Sequence, residues 1–402
     1  MGLSVFSVSW LYYNPDHNDS LPISEIDWKK YTHASYYAAA TTDDSSNPVV
    51  ITNETMFWEF VDAATSNHTV PLLSIGGWAG SEHFSTLVAT NDSGADFAKS
   101  LASKFVRDRR SNFRNYCGFD IVWEFPNDAD AWPNNTNAAN DTANLLAFLR
   151  TLRGELDEIP LTEVTLAASA PAAPWHDASG KPSTNCSLAG FADVLDYVSV
   201  LAYDVFGPTW SNTTGPNAPL HSCFANGTAA PSNNSAAAPY ASADTAVALW
   251  TAAGIPTHKL VLGVPSYGHA FAVAAGGAKD ASGSLALYAP NDRSAPVPSG
   301  DWAQGMLSFR GMVDAGLLAA DGSVPANVTG AFDECTQTAL VYLNGTGGDG
   351  VLVAYDDARA FEAKGAFVKE KRMAGFAIFE AAGDKGGTLI NAISKGVGAE
   401  GS

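Results

Sequence analysis

The chain has 402 residues, of which 46% are hydrophobic and 16% charged, and this hydrophobic share excludes intrinsic disorder. Its formal charge of −20 at pH 7 argues against nucleic acids and anionic membrane surfaces as partners, because a field of that sign repels phosphate groups. No run approaches the roughly 18 apolar residues of a membrane-spanning helix, so we expect a soluble chain with no membrane partner.

Short apolar, β-branched runs alternate with longer amphipathic or alanine-rich runs along most of the chain. Eight short runs predict strands, and most are almost continuously apolar, which is typical of parallel strands buried on both faces. The predicted strands are residues 4–9, 32–39, 70–75, 118–124, 164–169, 197–202, 260–265 and 375–379. The helical patterns between them are residues 56–64, 94–107, 142–156, 245–253, 358–371 and 388–394. Eight such units predict an α/β fold, a (β/α)8 TIM barrel, with an open doubly wound sheet as the alternative.

One segment interrupts this alternation. From Tyr267 to about Tyr355 the sequence is rich in Gly, Ala, Ser and Pro, with short alternating runs at residues 338–343 and 351–355. It predicts a small α+β insertion domain before the last strand. We therefore expect the barrel at residues 1–266 and 356–402 and the insertion domain at residues 267–355.

Four predicted strand ends carry the residues of interest, because barrel enzymes keep their chemistry at the C-terminal ends of the strands. They read SIGGW at 74–78, YCGFDIVWEFP at 116–126, LAYD at 201–204 and GFAIFE at 375–380. On the fourth strand, the alternation of side chains places Asp120, Val122 and Glu124 on one face. Carboxyl groups on a buried strand need partners or a task, so Asp120 and Glu124 are candidate catalytic groups. A buried hydrogen-bonded network without turnover is the alternative.

These motifs resemble glycoside hydrolase family 18, and most of all its fungal secreted chitinases. The resemblance continues through VLGVPSYGHAF at 261–271, FDECTQT at 332–338 and GFAIFEAAGD at 375–384, in order over nearly the whole chain. It implies a substrate-assisted retaining mechanism, in which a Glu protonates the glycosidic oxygen and the sugar's own 2-acetamido carbonyl attacks the anomeric carbon. An Asp two residues before that Glu holds the acetamido N–H. No metal-ligand cluster is visible, so we expect neither a metal nor a cofactor.

The family pattern D-x-x-D-x-D-x-E is only partly kept. By the resemblance, Glu124 stands at the acid position and Asp120 at the second Asp, whereas the first Asp is Cys117 and the third is Val122. Valine can neither accept the acetamido N–H nor balance positive charge on the intermediate, so we expect hydrolysis to be lost or strongly impaired. Cys117 has no nearby His in sequence, which favours an inert buried thiol over a nucleophile.

The sugar-binding positions of the family are mostly kept. The resemblance makes Tyr203 the residue that steadies the acetamido oxygen, and places Phe379 where the family has the Trp that floors the distorted subsite. The other substrate-binding candidates are Ser74, Gly77, Trp78, Tyr36, Trp123, Asp204 and Tyr267. His269 stands where many members have Arg, and is either a contact at the rim of the site or a structural histidine.

Cysteine and asparagine patterns indicate the compartment. By the resemblance, Cys223 and Cys335 form a disulfide between two loops. Twelve N-x-[ST] sequons, almost all in polar stretches, favour a secreted, extracellular glycoprotein. Their asparagines are Asn18, Asn53, Asn67, Asn91, Asn134, Asn140, Asn185, Asn212, Asn226, Asn233, Asn327 and Asn344.

Together these observations predict a secreted, monomeric, chitinase-like protein that binds N-acetylglucosamine oligomers and hydrolyses them poorly or not at all. A protein of this kind could sequester chitin fragments from a host's immune receptors. Two alternatives stay open. One is a slow endo-chitinase with Glu124 as the acid, in which water or Asp120 partly replaces the lost carboxylate. The other is a protein-binding barrel with no sugar site.

Overall fold

The computed structural model describes residues 5–12, 21–107, 117–128, 136–159, 164–223, 242–274, 276–280, 283–297, 305–344 and 350–399. The strands in these ranges are β1 (Phe6–Tyr12), β2 (His33–Thr41), β3 (Val49–Val50), β4 (Val70–Gly76), β5 (Gly118–Val122), β6 (Leu166–Pro171), β7 (Tyr197–Leu201), β8 (Leu260–Pro265), β9 (Tyr267–Val273), β10 (Met306–Ser308), β11 (Thr329–Asp333), β12 (Thr338–Asn344), β13 (Gly350–Tyr355) and β14 (Gly375–Phe379). The α-helices are α1 (Glu54–Ser66), α2 (Phe84–Leu87), α3 (Asn91–Ala102), α4 (Asp141–Asp157), α5 (Ala189–Ala192), α6 (Ala243–Ala252), α7 (Phe309–Asp314), α8 (Ala358–Lys371) and α9 (Thr388–Val397). A π-helical segment, Ser103–Arg107, continues α3. Short 3-10 helices are Ile23–Glu25, Trp28–Lys30, Thr257–Lys259 and Ala381–Gly383.

Eight strands form a closed parallel barrel in the order β1-β14-β8-β7-β6-β5-β4-β2, and the pairing of β2 with β1 completes the ring. β3 extends the sheet by pairing antiparallel with the end of β2. This architecture confirms the predicted (β/α)8 barrel, and the open doubly wound sheet is wrong. The strands are almost continuously apolar because both of their faces are buried. All five residues of β5 and all six of β8 are buried, since helices cover the outside of a parallel barrel.

Side chains in the connecting loops fix where several helices begin. The side chain of Asn53 accepts a hydrogen bond from the backbone N–H of Met56 at the start of α1. Asp357 does the same for Ala360 at the start of α8. Each of these caps satisfies a backbone donor that the first helical turn leaves without a partner. In the described part of the chain, no helix has both the length and the apolar character needed to span a membrane.

The chain divides into two compact units. Unit 1 comprises Met1–Leu201, Val247–Val261 and Met373–Ala377, and it contains residues from all eight barrel strands. Unit 2 comprises Ala202–Ala246, Leu262–Arg372 and Ile378–Ser402. It contains a five-stranded antiparallel sheet in the order β10-β9-β13-β12-β11, which belongs to the predicted insertion. The boundaries at 266/267 and 355/356 stay a prediction.

The insertion sheet has its own apolar core, and a disulfide bond links two segments of unit 2. The core consists of Val205, Phe206, Phe271, Val273, Ala278, Leu285, Ala289, Leu340, Leu352 and Ala354. Cys223 and Cys335, the pair that the resemblance implies, form a disulfide across a sequence separation of 112 residues. Cys117 is a buried thiol and Cys186 an exposed one.

Candidate functional site

The carboxyl group of Asp120 lies inside the barrel of unit 1 and accepts three hydrogen bonds. Trp10 Nε1 donates to Oδ2 over 2.9 Å, Ser74 Oγ donates to the same oxygen over 2.9 Å, and Ser169 Oγ donates to Oδ1 over 2.8 Å. Asp120 is only 3% exposed. This burial raises the pKa of Asp120, although the three hydrogen bonds act in the opposite direction. Both carboxyl oxygens are therefore engaged by the protein itself.

Val122 occupies the next inward position of β5, between Asp120 and Glu124. It is 2% exposed, and its backbone carbonyl accepts hydrogen bonds from Gly77 N over 2.8 Å and from Ser81 Oγ over 3.0 Å. Adjacent positions on one face of a strand lie about 7 Å apart, so a carboxyl group at position 122 could contact both Asp120 and Glu124. The isopropyl group of Val122 provides no such group between the buried Asp120 and the partly exposed Glu124.

Two glycines at the end of β4 allow the chain to pass close to β5. Gly76 and Gly77 have φ angles of +105° and +81°, and a Cβ atom on Gly76 would lie 2.4 Å from the carbonyl oxygen of Val122. The turn leaves Trp78 51% exposed, with its ring edge-on to Phe125 at a centroid distance of 6.0 Å. An exposed indole held in this way has a free apolar surface on which a ligand ring can stack.

Unit 2 carries a second group of the predicted residues. The rings of Tyr203, Tyr267 and Phe379 form a cluster with centroid distances of 6.2, 6.3 and 6.4 Å. Tyr203 and Phe379 are partly exposed, so their faces can contact a ligand. Tyr267 is only 2% exposed and donates its hydroxyl hydrogen to Asp204 Oδ1 over 2.7 Å. Its part is therefore to support Asp204.

Asp204 is held in a left-handed backbone conformation, with φ +57°. Its backbone N–H donates to Asn217 Oδ1 over 3.0 Å, and Asn217 Nδ2 in turn donates to the carbonyl oxygen of Tyr267 over 2.9 Å. His269 Nε2 lies 2.9 Å from Asp204 Oδ1. Because the side chain of His269 is 0% exposed and that of Asp204 is 45% exposed, the histidine supports the carboxylate and makes no contact at the rim.

Two predicted substrate-binding residues lie in the core instead. Tyr36 is 2% exposed and packs edge-on against Phe57 and Phe60 of α1. Trp123 is 1% exposed and stacks on Phe84 at 5.1 Å. Both face the helices outside the barrel, because successive side chains of a strand point to opposite faces. Neither stands at a surface that a ligand could reach.

Ser74 and Gly77, also predicted to bind substrate, are buried but close to the site. Ser74 is 0% exposed, donates its hydroxyl hydrogen to Asp120 and accepts a 2.6 Å hydrogen bond from the hydroxyl of Ser35. The backbone of Gly77 holds Val122, as described above. Their part in the arrangement is therefore to position β5.

Three residues that contribute to these arrangements were missed by the sequence analysis: Trp10, Tyr37 and Asn217. Tyr37 is partly exposed, and its hydroxyl oxygen lies 2.0 Å from where a Cβ atom on Gly77 would stand. Alternation from the inward Ser35 indicates Tyr37 as the next inward residue of β2. The alternation of side chains along β2 could therefore have identified Tyr37, whereas no local sequence pattern links Asn217 to Asp204.

The sequence profile described as glycosyl hydrolases family 18 matches residues 8–384. The chain belongs to this family. A chitinase-like effector of Moniliophthora roreri is 36% identical to it over 98% of this chain and 93% of that protein, and a chitinase-like effector of Moniliophthora perniciosa is 36% identical over 96% and 86%. The crystal structure of a chitinase from Rhizomucor miehei is similar with a TM-score of 0.80 and 26% identity, over 98% of this chain and 100% of that one.

Because the chain belongs to family 18, the residues on and beside β5 can be compared with the acidic pattern of that family. By resemblance, the four acidic positions of the family pattern correspond here to Cys117, Asp120, Val122 and Glu124. Cys117 and Val122 are buried, Asp120 is buried and accepts three hydrogen bonds, and Glu124 is partly exposed. Among the described residues, no group of three or more His, Cys, Asp or Glu side chains is placed to hold a metal ion.

Proposed function

We propose that this family 18 chain binds N-acetylglucosamine oligomers and does not hydrolyse them at the rate of a chitinase. The observation that carries the proposal is Val122, which is buried on the inward face of β5 two residues before Glu124. By resemblance to the family, the mechanism needs a carboxyl group there to hold the acetamido N–H and to stabilise the cyclic intermediate. Loss of one preorganised group of this kind typically costs on the order of 10²–10³ in rate.

Asp120 is a poor replacement for the missing carboxyl group. It lies about 13 Å from Glu124 along the strand, and the side chain of Val122 stands between them. Its two oxygens already accept bonds from Trp10, Ser74 and Ser169. This geometry argues against a slow endo-chitinase that relies on Asp120, and leaves only the form of that alternative in which water takes the place of the carboxylate.

Binding makes fewer demands than hydrolysis. Affinity for a neutral sugar chain comes from aromatic platforms and a few placed polar groups. Trp78 in unit 1, and Tyr203, Phe379 and Asp204 in unit 2, provide groups of these kinds with exposed surface. Their retention favours a sugar-binding protein over a barrel that binds only proteins.

We further propose that the chain is a secreted glycoprotein. The sequon asparagines in the described ranges are all exposed: Asn53, Asn67, Asn91, Asn140, Asn185, Asn212, Asn327 and Asn344. Asn18, Asn134, Asn226 and Asn233 lie outside the described residues. The disulfide between Cys223 and Cys335 suits an oxidising compartment, and two relatives are named effectors. An extracellular protein of this kind would sequester chitin fragments from host immune receptors.

Calorimetry with chitohexaose, followed by mass spectrometry of the recovered sugar, tests the proposal. Wild type should bind the hexamer and return it intact. Trp78→Ala and Phe379→Ala should each bind about tenfold more weakly, since a stacked ring contributes about 1.4 kcal/mol. Val324→Ala, which trims a 37% exposed apolar side chain outside the proposed surfaces, is the matched control and should bind as wild type does.

Two outcomes contradict the proposal. Cleavage of the hexamer at the rate of the Rhizomucor miehei chitinase, measured in parallel, would establish an active enzyme. Absence of binding by the folded wild type would favour the protein-binding barrel instead.

A further inference from the structure

The side chain of Asp141, the first residue of α4, accepts hydrogen bonds from three separate segments of unit 1. Ser85 Oγ donates to Oδ1 over 2.7 Å, and the backbone N–H groups of Asn127 and Ala138 donate to Oδ2 over 3.3 and 2.7 Å. Asp141 is 0% exposed. Burial of a carboxyl group is costly unless donors of this kind surround it. The three bonds therefore offset that cost and hold the three segments to one side chain.

One of these segments is the loop that follows β5, in which Phe125 lies. A hydrogen bond of 3.3 Å from the N–H of Asp128 to the carbonyl oxygen of Phe125 closes a turn there. Asn127 stands in this turn with a left-handed backbone, φ +57°, and its Nδ2 donates to the carbonyl oxygen of Asp177 over 2.5 Å. Both the backbone and the side chain of Asn127 thus anchor the turn, and the backbone anchor is Asp141.

A second segment is the short helix α2, which Ser85 joins to Asp141. The neighbouring Phe84 stacks on Trp123 at a centroid distance of 5.1 Å, with the ring planes 14° apart. The loop after β4 leads into α2, whereas Trp123 directly follows β5. Asp141 therefore holds the loop after β4 as well as the loop after β5.

The rings of Trp78 and Phe125 meet where these two loops approach each other. Trp78 follows β4 and Phe125 follows β5, and their planes stand at 82° with the centroids 6.0 Å apart. Trp78 is 51% exposed, so about half of its indole has no protein around it to fix its direction. The contact with Phe125 limits the rotamers of this indole, and a shift of the turn at Asn127 would weaken that contact.

We propose that Asp141 is a positioning residue for sugar binding. It holds the turn after β5 so that Phe125 keeps the indole of Trp78 in the orientation that stacks on an N-acetylglucosamine ring. The inference rests on the sugar binding proposed above. Because Asp141 is buried out of reach of a ligand, its effect on affinity passes through Trp78.

Amide hydrogen exchange, followed by mass spectrometry of the peptides that contain Asn127 and Ala138, tests the positioning without any sugar. Asp141→Ala removes all three contacts, and these peptides should exchange about tenfold faster than in wild type. Asp141→Asn can keep an oxygen for the two backbone N–H groups and turn its amide towards Ser85, whose hydroxyl can accept. This conservative variant should therefore restore slow exchange.

Arg153, near the other end of α4, provides the matched control. Its guanidinium donates to the carbonyl oxygens of Val194 and Val164, both over 3.0 Å, and to Asp196 Oδ2 over 2.8 Å. Arg153→Ala also removes three hydrogen bonds from α4, but about 18 Å along the helix from Asp141. It should lower the free energy of unfolding and leave both the exchange of the two peptides and the affinity for sugar unchanged.

Calorimetry with chitohexaose, arranged as a double-mutant cycle, tests the effect on binding. Asp141→Ala should bind about tenfold more weakly than wild type, as Trp78→Ala does, whereas Asp141→Asn should bind within about twofold of wild type. The variant that carries both Trp78→Ala and Asp141→Ala should bind no more weakly than Trp78→Ala alone, because an indole that is absent cannot be displaced.

Ser85→Ala keeps the test decisive if Asp141→Ala does not fold. It removes the bond that orients the carboxyl group and leaves the two backbone donors in place. The exchange of the same two peptides should rise and the affinity for chitohexaose should fall by about threefold.

Each contrary result overturns a stated part of the inference. Unchanged exchange in Asp141→Ala, or in Ser85→Ala where only that variant folds, overturns the positioning. Faster exchange with unchanged affinity, a double variant that binds about tenfold more weakly than Trp78→Ala, or equal effects of Asp141→Ala and Arg153→Ala overturn the action through Trp78. If folded wild type does not bind chitohexaose, the proposed function fails and the role in sugar binding fails with it, whereas the exchange data still decide whether Asp141 holds the turn.

Discussion

Val122→Asp returns a carboxyl group to the inward face of β5 between Asp120 and Glu124. If the missing acceptor limits hydrolysis, the variant should cleave chitohexaose on the order of 10²-fold faster than wild type. A second variant adds Cys117→Asp, because the family pattern has a carboxyl group at that buried position as well. Val122→Thr is the matched control, since it has nearly the same shape as valine but no charge.

The same substitution has a cost in stability that follows from the position of Val122. The side chain is 2% exposed, so loss of its apolar burial should remove about 1.5 kcal/mol from the free energy of unfolding. Two carboxylates about 7 Å apart repel each other by about 2.4 kcal/mol at an effective dielectric constant of 20. The repulsion raises the pKa of the pair in the folded state, so its part of the cost is small near pH 4 and grows as the pH rises to 7.

Urea unfolding at pH 4 and pH 7 measures this cost, and mass spectrometry of chitohexaose after matched incubations measures cleavage. Val122→Asp should lose about 4 kcal/mol at pH 7 and less at pH 4. Val122→Thr should lose the same amount at both pH values and gain no cleavage. The reasoning is refuted if neither the single nor the double aspartate variant gains hydrolysis while both remain folded and bind the hexamer.

Three further predictions concern stability. Trp10→Phe removes the indole N–H that binds the buried Asp120 and should lower the free energy of unfolding in urea by about 2 kcal/mol. Cys223→Ser opens the disulfide to Cys335 and should cost about 4 kcal/mol in urea without reductant. Burial lowers the pKa of His33 from 6.5 to about 4, so the unfolded chain binds this proton more tightly and stability is lost as the pH falls through that window, by up to about 3 kcal/mol. His33→Gln should flatten this dependence in urea titrations between pH 4 and 7.

The tryptophan and cysteine variants each have a control in the same chain. Trp28→Phe removes another core indole, 7% exposed, that donates no hydrogen bond to a described residue, and it should cost less than Trp10→Phe. Cys186→Ser changes an exposed thiol and should leave stability unchanged. The hydrogen-bond argument is contradicted if both tryptophan variants lose the same free energy of unfolding, and the disulfide argument if both cysteine variants do. The argument for His33 is contradicted if His33→Gln leaves the loss of stability at acid pH unchanged.

The barrel could be predicted from the sequence because its strands and helices differ strongly in periodicity. Each predicted barrel strand overlaps an observed one, but their ends differ by a few residues: the first strand, predicted at 4–9, runs Phe6–Tyr12. Within the insertion, the runs at 338–343 and 351–355 became β12 and β13. β9, β10 and β11 were missed, because Tyr267–Val273, Met306–Ser308 and Thr329–Asp333 carry no clear alternation of polar and apolar residues.

The site was predicted less completely, for reasons of geometry. Alternation fixes the inward face of a strand, and it placed Asp120, Val122 and Glu124 together. The resemblance indicated Tyr36 by residue type and did not consider Tyr37. The face of β2 decides which ring points into the barrel, and Tyr36 packs on α1 outside it. The bond from Trp10 to Asp120 joins residues 110 positions apart, and the stagger of the strands, which no local pattern encodes, decides that they meet.

The three hydrogen-bond donors around Asp120 make this aspartate costly to replace, whether or not it takes part in catalysis. An aliphatic residue in its place would leave Trp10, Ser74 and Ser169 with buried donors and no acceptor, at about 1–3 kcal/mol each. Folding alone therefore gives this aspartate a reason to be kept, whether or not the chain hydrolyses chitin, whereas no such set of donors depends on the side chain at position 122. An aspartate at this position is thus explained by its structural role and is not by itself evidence of hydrolysis.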